Sequence, residues 1–138
     1  MKEADREEAI RWLEVFTSIY EEASVFIHCV TDNVNTDSLP GDLETLPEVV
    51  QKLTPLLESA NKLPKPKQIE LSRIKKDLKL TIDACIKASK WAMKLGDKYS
   101  RFRFSVTTFW TNLAISFSES LSAKLALLSS YTGKGGEA

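Results

Sequence analysis

The chain has 138 residues, 43% apolar and 28% charged, with a formal net charge of zero. That length allows one domain with a core that needs no staples, and the composition excludes wholesale disorder. Overall neutrality, with lysine outnumbering arginine, argues against a nucleic-acid binder, which would be basic throughout.

The first periodic segment covers roughly 4–31. Ala9, Leu13, Phe16, Tyr20, Ala23, Ile27 and Val30 recur at spacings of three and four, the seam of an amphipathic helix. Trp12, Ile19 and Phe26 widen that seam, and Glu3, Glu7, Glu14 and Glu21 make an acidic stripe opposite it. "TDNVNTDSLPGDLE" then breaks the pattern as a loop. Thr45 with Glu48 three residues on reads as a capping box, with Pro47 tolerated in the first turn. The second helix runs to about Asn61, with Leu46, Val49 or Val50, Leu53, Leu57 and Ala60 inward. Pro55 should kink it by withdrawing the bond to the Gln51 carbonyl.

"LPKPK" ends that helix, and a third spans about 67–95. Its seam is Leu71, Ile74, Leu78, Ile82, Cys85, Ser89 and Ala92, flanked by Ala88, Trp91 and Leu95. Past Ile82 the seam narrows to small side chains, so a neighbour can approach closely. Gly96 is the expected C-terminal cap. The fourth helix covers about 98–131, with a stripe of Phe102, Val106, Phe109, Leu113, Phe117, Leu121, Leu125 and Leu128. The expected fold is therefore all-α, an antiparallel, up-and-down four-helix bundle with a Pro-kinked second helix. Residues 1–132 form its single domain and 133–138 a flexible tail.

The fourth helix poses a problem. From Phe102 to Tyr131 it carries three charges, Arg103, Glu119 and Lys124, while ten of the residues from Ser105 to Ser130 are Ser or Thr. A helix without a charged side is usually interior, yet each helix of a four-helix bundle keeps an outer face. The hydroxyl side, Ser105, Thr108, Asn112, Ser116 and Ser120, is therefore expected to meet something outside the core, first of all a second copy of the chain or a protein partner. The alternatives are a bilayer surface approached through the basic flank "KYSRFRF" and an exposed face without function. Ten hydroxyls make the segment too polar to span a bilayer.

Zero net charge also hides a sorting. Residues 1–61 hold four basic and thirteen acidic side chains, and residues 62–103 hold thirteen basic and four acidic ones. On the third helix Lys76, Lys79, Lys87, Lys90 and Lys94 share a face, interrupted by Asp83, and Lys98, Arg101 and Arg103 follow. This is expected either as a solvated face partly neutralised by the first helix or as a surface for an acidic protein or anionic lipid.

Catalytic patterns are missing. His28 is the single histidine, on the acidic side of the first helix, and with two distant cysteines it assembles no zinc set. "YTGKGG" lacks the Walker spacing, and no nucleophile elbow or dinucleotide fingerprint occurs. The expectation is a non-enzyme with no metal and no cofactor. Cys29 and Cys85 read as small core residues rather than a disulfide, and Trp12, Trp91 and Trp110 as core packing. "MKEADREEAIRW" is acidic where a secretory signal is basic and then apolar, so the expected location is cytoplasmic or membrane-peripheral.

In its middle, "LTPLLESANKL" followed by "IELSRIKKDLKLTIDACIKASKW" resembles the amino-terminal helical bundles of plant immune receptors, over about a third of the chain. The shared features are spaced leucines, a proline ahead of paired aliphatics, and a cysteine before a basic-aromatic run. The resemblance implies a membrane-active bundle that meets anionic lipid through its lysine face, although the acidic start departs from the apolar one of those proteins. Without it, the residues point to a non-catalytic interaction module or oligomerising scaffold.

Overall fold

Four helices, α1 (Glu3–Asn33), α2 (Leu46–Lys62), α3 (Ile69–Asp97) and α4 (Arg101–Glu137), make up the architecture of the computed structural model. It describes residues 2–33 and 44–137, with side chains for 2–31 and 44–128. The loop expected over 31–44 falls largely outside these residues. So do the side chains of the tail expected from Gly133, although the span of α4 includes the backbone to Glu137.

The connections 63–68 and 98–100 are short. Six residues reach at most about 20 Å, whereas a helix the length of α3 is about 43 Å long. Each connection can only turn the chain back, so neighbours run antiparallel. Helix α1 packs against α2, α3 and α4, and α3 against α1, α2 and α4, while α2 and α4 make no contact among the described residues. Helices α1 and α3 therefore lie across the short diagonal of an all-α four-helix bundle. The most extensive pairing is α3 with α4.

The core is continuous across all four helices. Phe16, Ala23, Ile27 and Val30 come from α1, Leu46, Val49, Leu53 and Ala60 from α2, and Leu71, Ile74, Leu78, Ile82, Cys85 and Ala88 from α3. Trp12, expected to pack in the core from the flank of the α1 seam, is buried there, stacked on Phe16 at 5.3 Å. Its indole Nε1 donates to the Pro64 carbonyl at 2.7 Å, which satisfies the buried donor and ties α1 to the α2–α3 connection.

Helix ends differ in detail from the sequence expectation. Thr45 precedes α2 as foreseen, but its backbone is already helical (φ −85°, ψ −17°) and its side chain makes no capping bond. A capping hydroxyl needs an extended N-cap backbone to reach the following N–H groups. Helix α2 continues through Pro55, and the Thr54 hydroxyl donates to the Val50 carbonyl at 2.7 Å. Gly96 lies inside α3 rather than capping it. The exposed carbonyls there are capped by a side chain: Arg103 Nη1 donates to the Lys94 and Lys98 carbonyls at 2.6 and 3.1 Å. Ser100 Oγ accepts from the Arg103 N–H at 3.0 Å and so caps the start of α4.

The largest departure concerns which helix is central. The nearly uncharged α4 is peripheral, and the lysine-rich α3 is the most enclosed. In its C-terminal half helix α3 confines its lysines to one stripe and buries Ala84, Cys85, Ala88, Ser89 and Ala92 on the rest. On α4 the expected stripe holds in the second half, at Leu121 and Leu128, but the first half is turned so that Thr107, Thr111 and Ala114 take the inward side. Thr107, Thr111, Ala114, Leu121 and Leu128 are buried, whereas Phe102 and Phe109 are 67% and 56% exposed.

The reason is steric. Asp77 meets Ser120 and Lys124, Lys87 lies over Trp110, and Trp91 meets Phe102. By that antiparallel register Ala84, Ala88 and Ala92 fall level with Ala114, Thr111 and Thr107. Small faces small, and the helices close up as far as bulky rings would not allow. The phenylalanines are displaced to the flanks. Thr107 pairs its hydroxyl with the Arg103 carbonyl at 2.7 Å, the back-bonding that lets threonine enter a core. Thr111 and Ser89 are buried without a hydrogen-bond partner, which is unfavourable in itself.

Candidate functional site: the outer face of α4 and the lysine face of α3

Three of the five hydroxyl-side positions expected to face outward do so. Ser105, Asn112 and Ser116 are exposed, together with Phe102, Phe109, Ala123, Ala126 and Leu127. Ser120 and Thr108 do not belong to that surface. Ser120 is half-buried and donates to Asp77 Oδ2 at 3.0 Å, and the Thr108 hydroxyl is buried without a hydrogen-bond partner. Lys124 leaves it too, reaching Asp77 Oδ2 at 2.7 Å. Between Phe102 and Leu127 the outward strip of α4 thus retains one charge, that of Glu119.

Asp77 was not singled out by sequence because it sits among lysines in a helix with an ordinary charged face. It is nevertheless 8% exposed, on the side of α3 that meets α4. Thr81 donates to its backbone carbonyl at 2.6 Å, and Ser120 and Lys124 converge on one carboxylate oxygen. Periodicity held the signal: Asp77 falls in register with Ala84, Ala88 and Leu95 rather than with the lysines.

Helix α3 holds Lys76, Lys79, Lys87, Lys90 and Lys94 along its outward stripe, but they differ in what they do. Lys87 pairs with Asp83 at 3.0 Å and lies 4.5 Å from the centre of the Trp110 ring. Lys94 lies 4.3 Å from the centre of the Trp91 ring. These cation–π contacts cover two half-buried tryptophans at the rims of the α3–α4 contact and hold both lysines against the protein. Trp110 packs against the core from its rim, as expected of a core-packing residue, whereas Trp91 is half-buried outside the core cluster. Lys98 and Arg101 are exposed at the α3–α4 turn, and Arg103 is occupied in capping α3.

The acidic stripe of α1 makes no direct ion pair with this face among the described residues. Glu3, Glu7, Glu14 and Glu21 are exposed. The link between acidic and basic halves runs through Lys67, 3.2 Å from Asp5 and 3.8 Å from Glu8. The hydrogen bond that Lys67 donates to Asp5 and the charges of the Asp5 and Glu8 carboxylates raise the Lys67 pKa above its ordinary value.

Near Lys67 the α2–α3 connection borders two depressions. One, of about 260 Å³, lies against Ala9, Trp12, Val15 and Pro64. The other, of about 390 Å³, is lined by Lys65, Pro66, Ser72, Lys75, Lys76, Lys79 and Leu80.

The remaining nucleophiles and ligands are dispersed. Cys29 and Cys85 are both free thiols, and burial pushes the Cys85 thiol up to about 12, so it is protonated and inert at neutral pH. His28 is exposed. Among the described residues no group of three His, Cys, Asp or Glu side chains is placed to hold a metal, and no helix is long and apolar enough to cross a membrane. No family model, curated protein or solved structure matches this chain, and the likeness of its middle to immune-receptor bundles stays one of residue pattern alone.

Proposed function

We propose that the protein is a non-catalytic interaction module that self-associates through the outer face of α4. The observation that carries this reading is the strip from Phe102 to Leu127. It is solvent-facing, holds Phe109 and Leu127 at 56% and 73% exposure, and keeps a single charge. At about 1.5 Å per residue the strip is about 38 Å long. An isologous contact places each patch on its own copy, so a charged patch repels itself and a nearly neutral one does not. Apolar rings interspersed with hydroxyls and an amide match the composition of such contacts better than that of a solvated helix face.

Sedimentation velocity tests this. The wild-type chain is expected to sediment as a dimer at micromolar concentration, and Asn112→Lys combined with Ser116→Glu as a monomer with an unchanged circular dichroism spectrum. A wild-type chain that stays monomeric at the highest attainable concentration refutes the reading.

A second reading, association with an anionic membrane surface, rests on the α3–α4 turn. There Tyr99 and Phe102, each 67% exposed, stand beside Lys98 and Arg101. Exposed rings flanked by cations suit the headgroup region of an acidic bilayer. Co-sedimentation with phosphatidylserine vesicles is expected to fall several-fold for Tyr99→Ser with Phe102→Ser, and to fall as salt rises. Equal binding by the variant excludes the turn as the contact.

A further inference from the structure

The depression beside the α2–α3 connection has a chemistry distinct from the α4 strip, and its reading stands independently of any self-association. Lys65, Lys75, Lys76 and Lys79 line it with Ser72, and no carboxylate is among its lining residues. Neighbouring cations are neutralised within the fold, Lys67 by Asp5 and Glu8 and Lys87 by Asp83. These four are in no ion pair among the described residues. The volume of about 390 Å³ lies within the range of small-ligand sites.

Two features hold the cations together. Lys75 Nζ donates to the Leu63 carbonyl at 2.7 Å, which fixes that ammonium at the inner wall and leaves it two further donors. Pro64 and Pro66 restrict the backbone on either side of Lys65, while Trp12 anchors the same connection through the Pro64 carbonyl. Helical spacing sets Lys75 and Lys76 one turn beyond Ser72, and Lys79 one turn beyond them, on one side of α3. Four like charges gathered in one groove repel one another, an arrangement that an anion of high charge density relieves.

We propose that this groove binds a small anion carrying several phosphate groups on one ring or chain, either free or as the headgroup of a lipid. A single carboxylate or phosphate engages too few of the four ammonium groups. A nucleic-acid strand calls for aromatic stacking surfaces, and none lines the groove. Ammonium groups act as point charges that suit clustered phosphates without demanding the planar pairing of arginine.

The test is calorimetric titration of the full chain with inositol hexakisphosphate and, separately, with inorganic phosphate. It is joined by flotation on phosphatidylcholine vesicles with and without a phosphatidylinositol bisphosphate. The wild type is expected to bind the hexakisphosphate and to bind inorganic phosphate far more weakly. Lys76→Glu with Lys79→Glu is expected to lower affinity by about tenfold or more, and Lys90→Glu with Lys94→Glu, an equal charge change outside the groove, by much less. Groove-dependent binding of the vesicles alone assigns the lipid-borne source, and of the hexakisphosphate alone the free one. Absence of binding by the wild type to either, or equal losses in the two double variants, overturns the proposal. Should the glutamate pair disturb the circular dichroism melt, Lys76→Gln with Lys79→Gln replaces it under the same criteria.

Discussion

Ala88→Leu is expected to destabilise the bundle by about 3 kcal/mol, the upper end of what overpacking a tight core costs. Ala88 is fully buried on the side of α3 level with Thr111, where α3 and α4 make their most extensive contact through small side chains. A leucine there has no void to enter. It must either push α4 outward, opening the contacts at Ala84, Ala92 and Ala114, or adopt a strained rotamer. Urea unfolding is expected to show the loss, with a fall in the thermal midpoint of about 10 °C. Because Lys87 lies over Trp110, the tryptophan emission should also change before unfolding. Ala88→Gly, which removes bulk rather than adding it, is expected to cost only about 1 kcal/mol through helix propensity. A leucine variant as stable as the wild type would show that α4 does not sit closely on α3.

Asp77→Ala is expected to cost about 2–3 kcal/mol, by leaving the Lys124 ammonium against a partly buried surface without its carboxylate. Breaking a fully buried pair costs more, but the Lys124 side chain is 38% exposed, and water recovers part of the loss. The more enclosed partner is Asp77, with its side chain 11% exposed, so Lys124→Met should be at least as harmful. Replacing both residues removes both desolvated charges, and the Asp77→Ala, Lys124→Met double variant should be much more stable than the summed single losses imply. Asp77→Asn, which still accepts from Ser120 and Lys124, should lie between the wild type and the alanine variant. Additive losses across that cycle would mean that the pair does not couple α3 to α4.

These two sites also bear on the function proposed for the outer strip. Asp77 draws Ser120 and Lys124 off the solvent side of α4, and the small-residue contact turns Phe102 and Phe109 onto it. The exposed strip is thus a product of the α3–α4 interface, and variants at Ala88 or Asp77 should weaken self-association through misplacement of α4 alone. Asn112 and Ser116, by contrast, are exposed, so substitutions there act on the outer strip itself.

Much of this protein could be read from residue spacing. Four helices, their order, most of their ends to within three residues, and the buried seams of α2 and α3 follow from periodicity and from the breaks at Pro64 and Pro66, because apolar spacing states which residues share a face. The exposure of Lys76, Lys87, Lys90 and Lys94 followed in the same way. The sequence did not decide which helix each face would meet. In the first half of α4 two adjacent stripes competed, one with Phe102 and Phe109 and one of Thr107, Thr111 and Ala114, and periodicity favoured the more apolar. The tertiary structure chose the smaller, because α3 offers Ala84, Ala88 and Ala92 there, and close approach of two backbones outweighs the burial of two phenylalanine rings. The pairing of Asp77 with Lys124 and the gathering of Lys65 with Lys75, Lys76 and Lys79 likewise depend on segments brought together only by folding, since a helical wheel orders residues around one axis and does not relate one axis to the next.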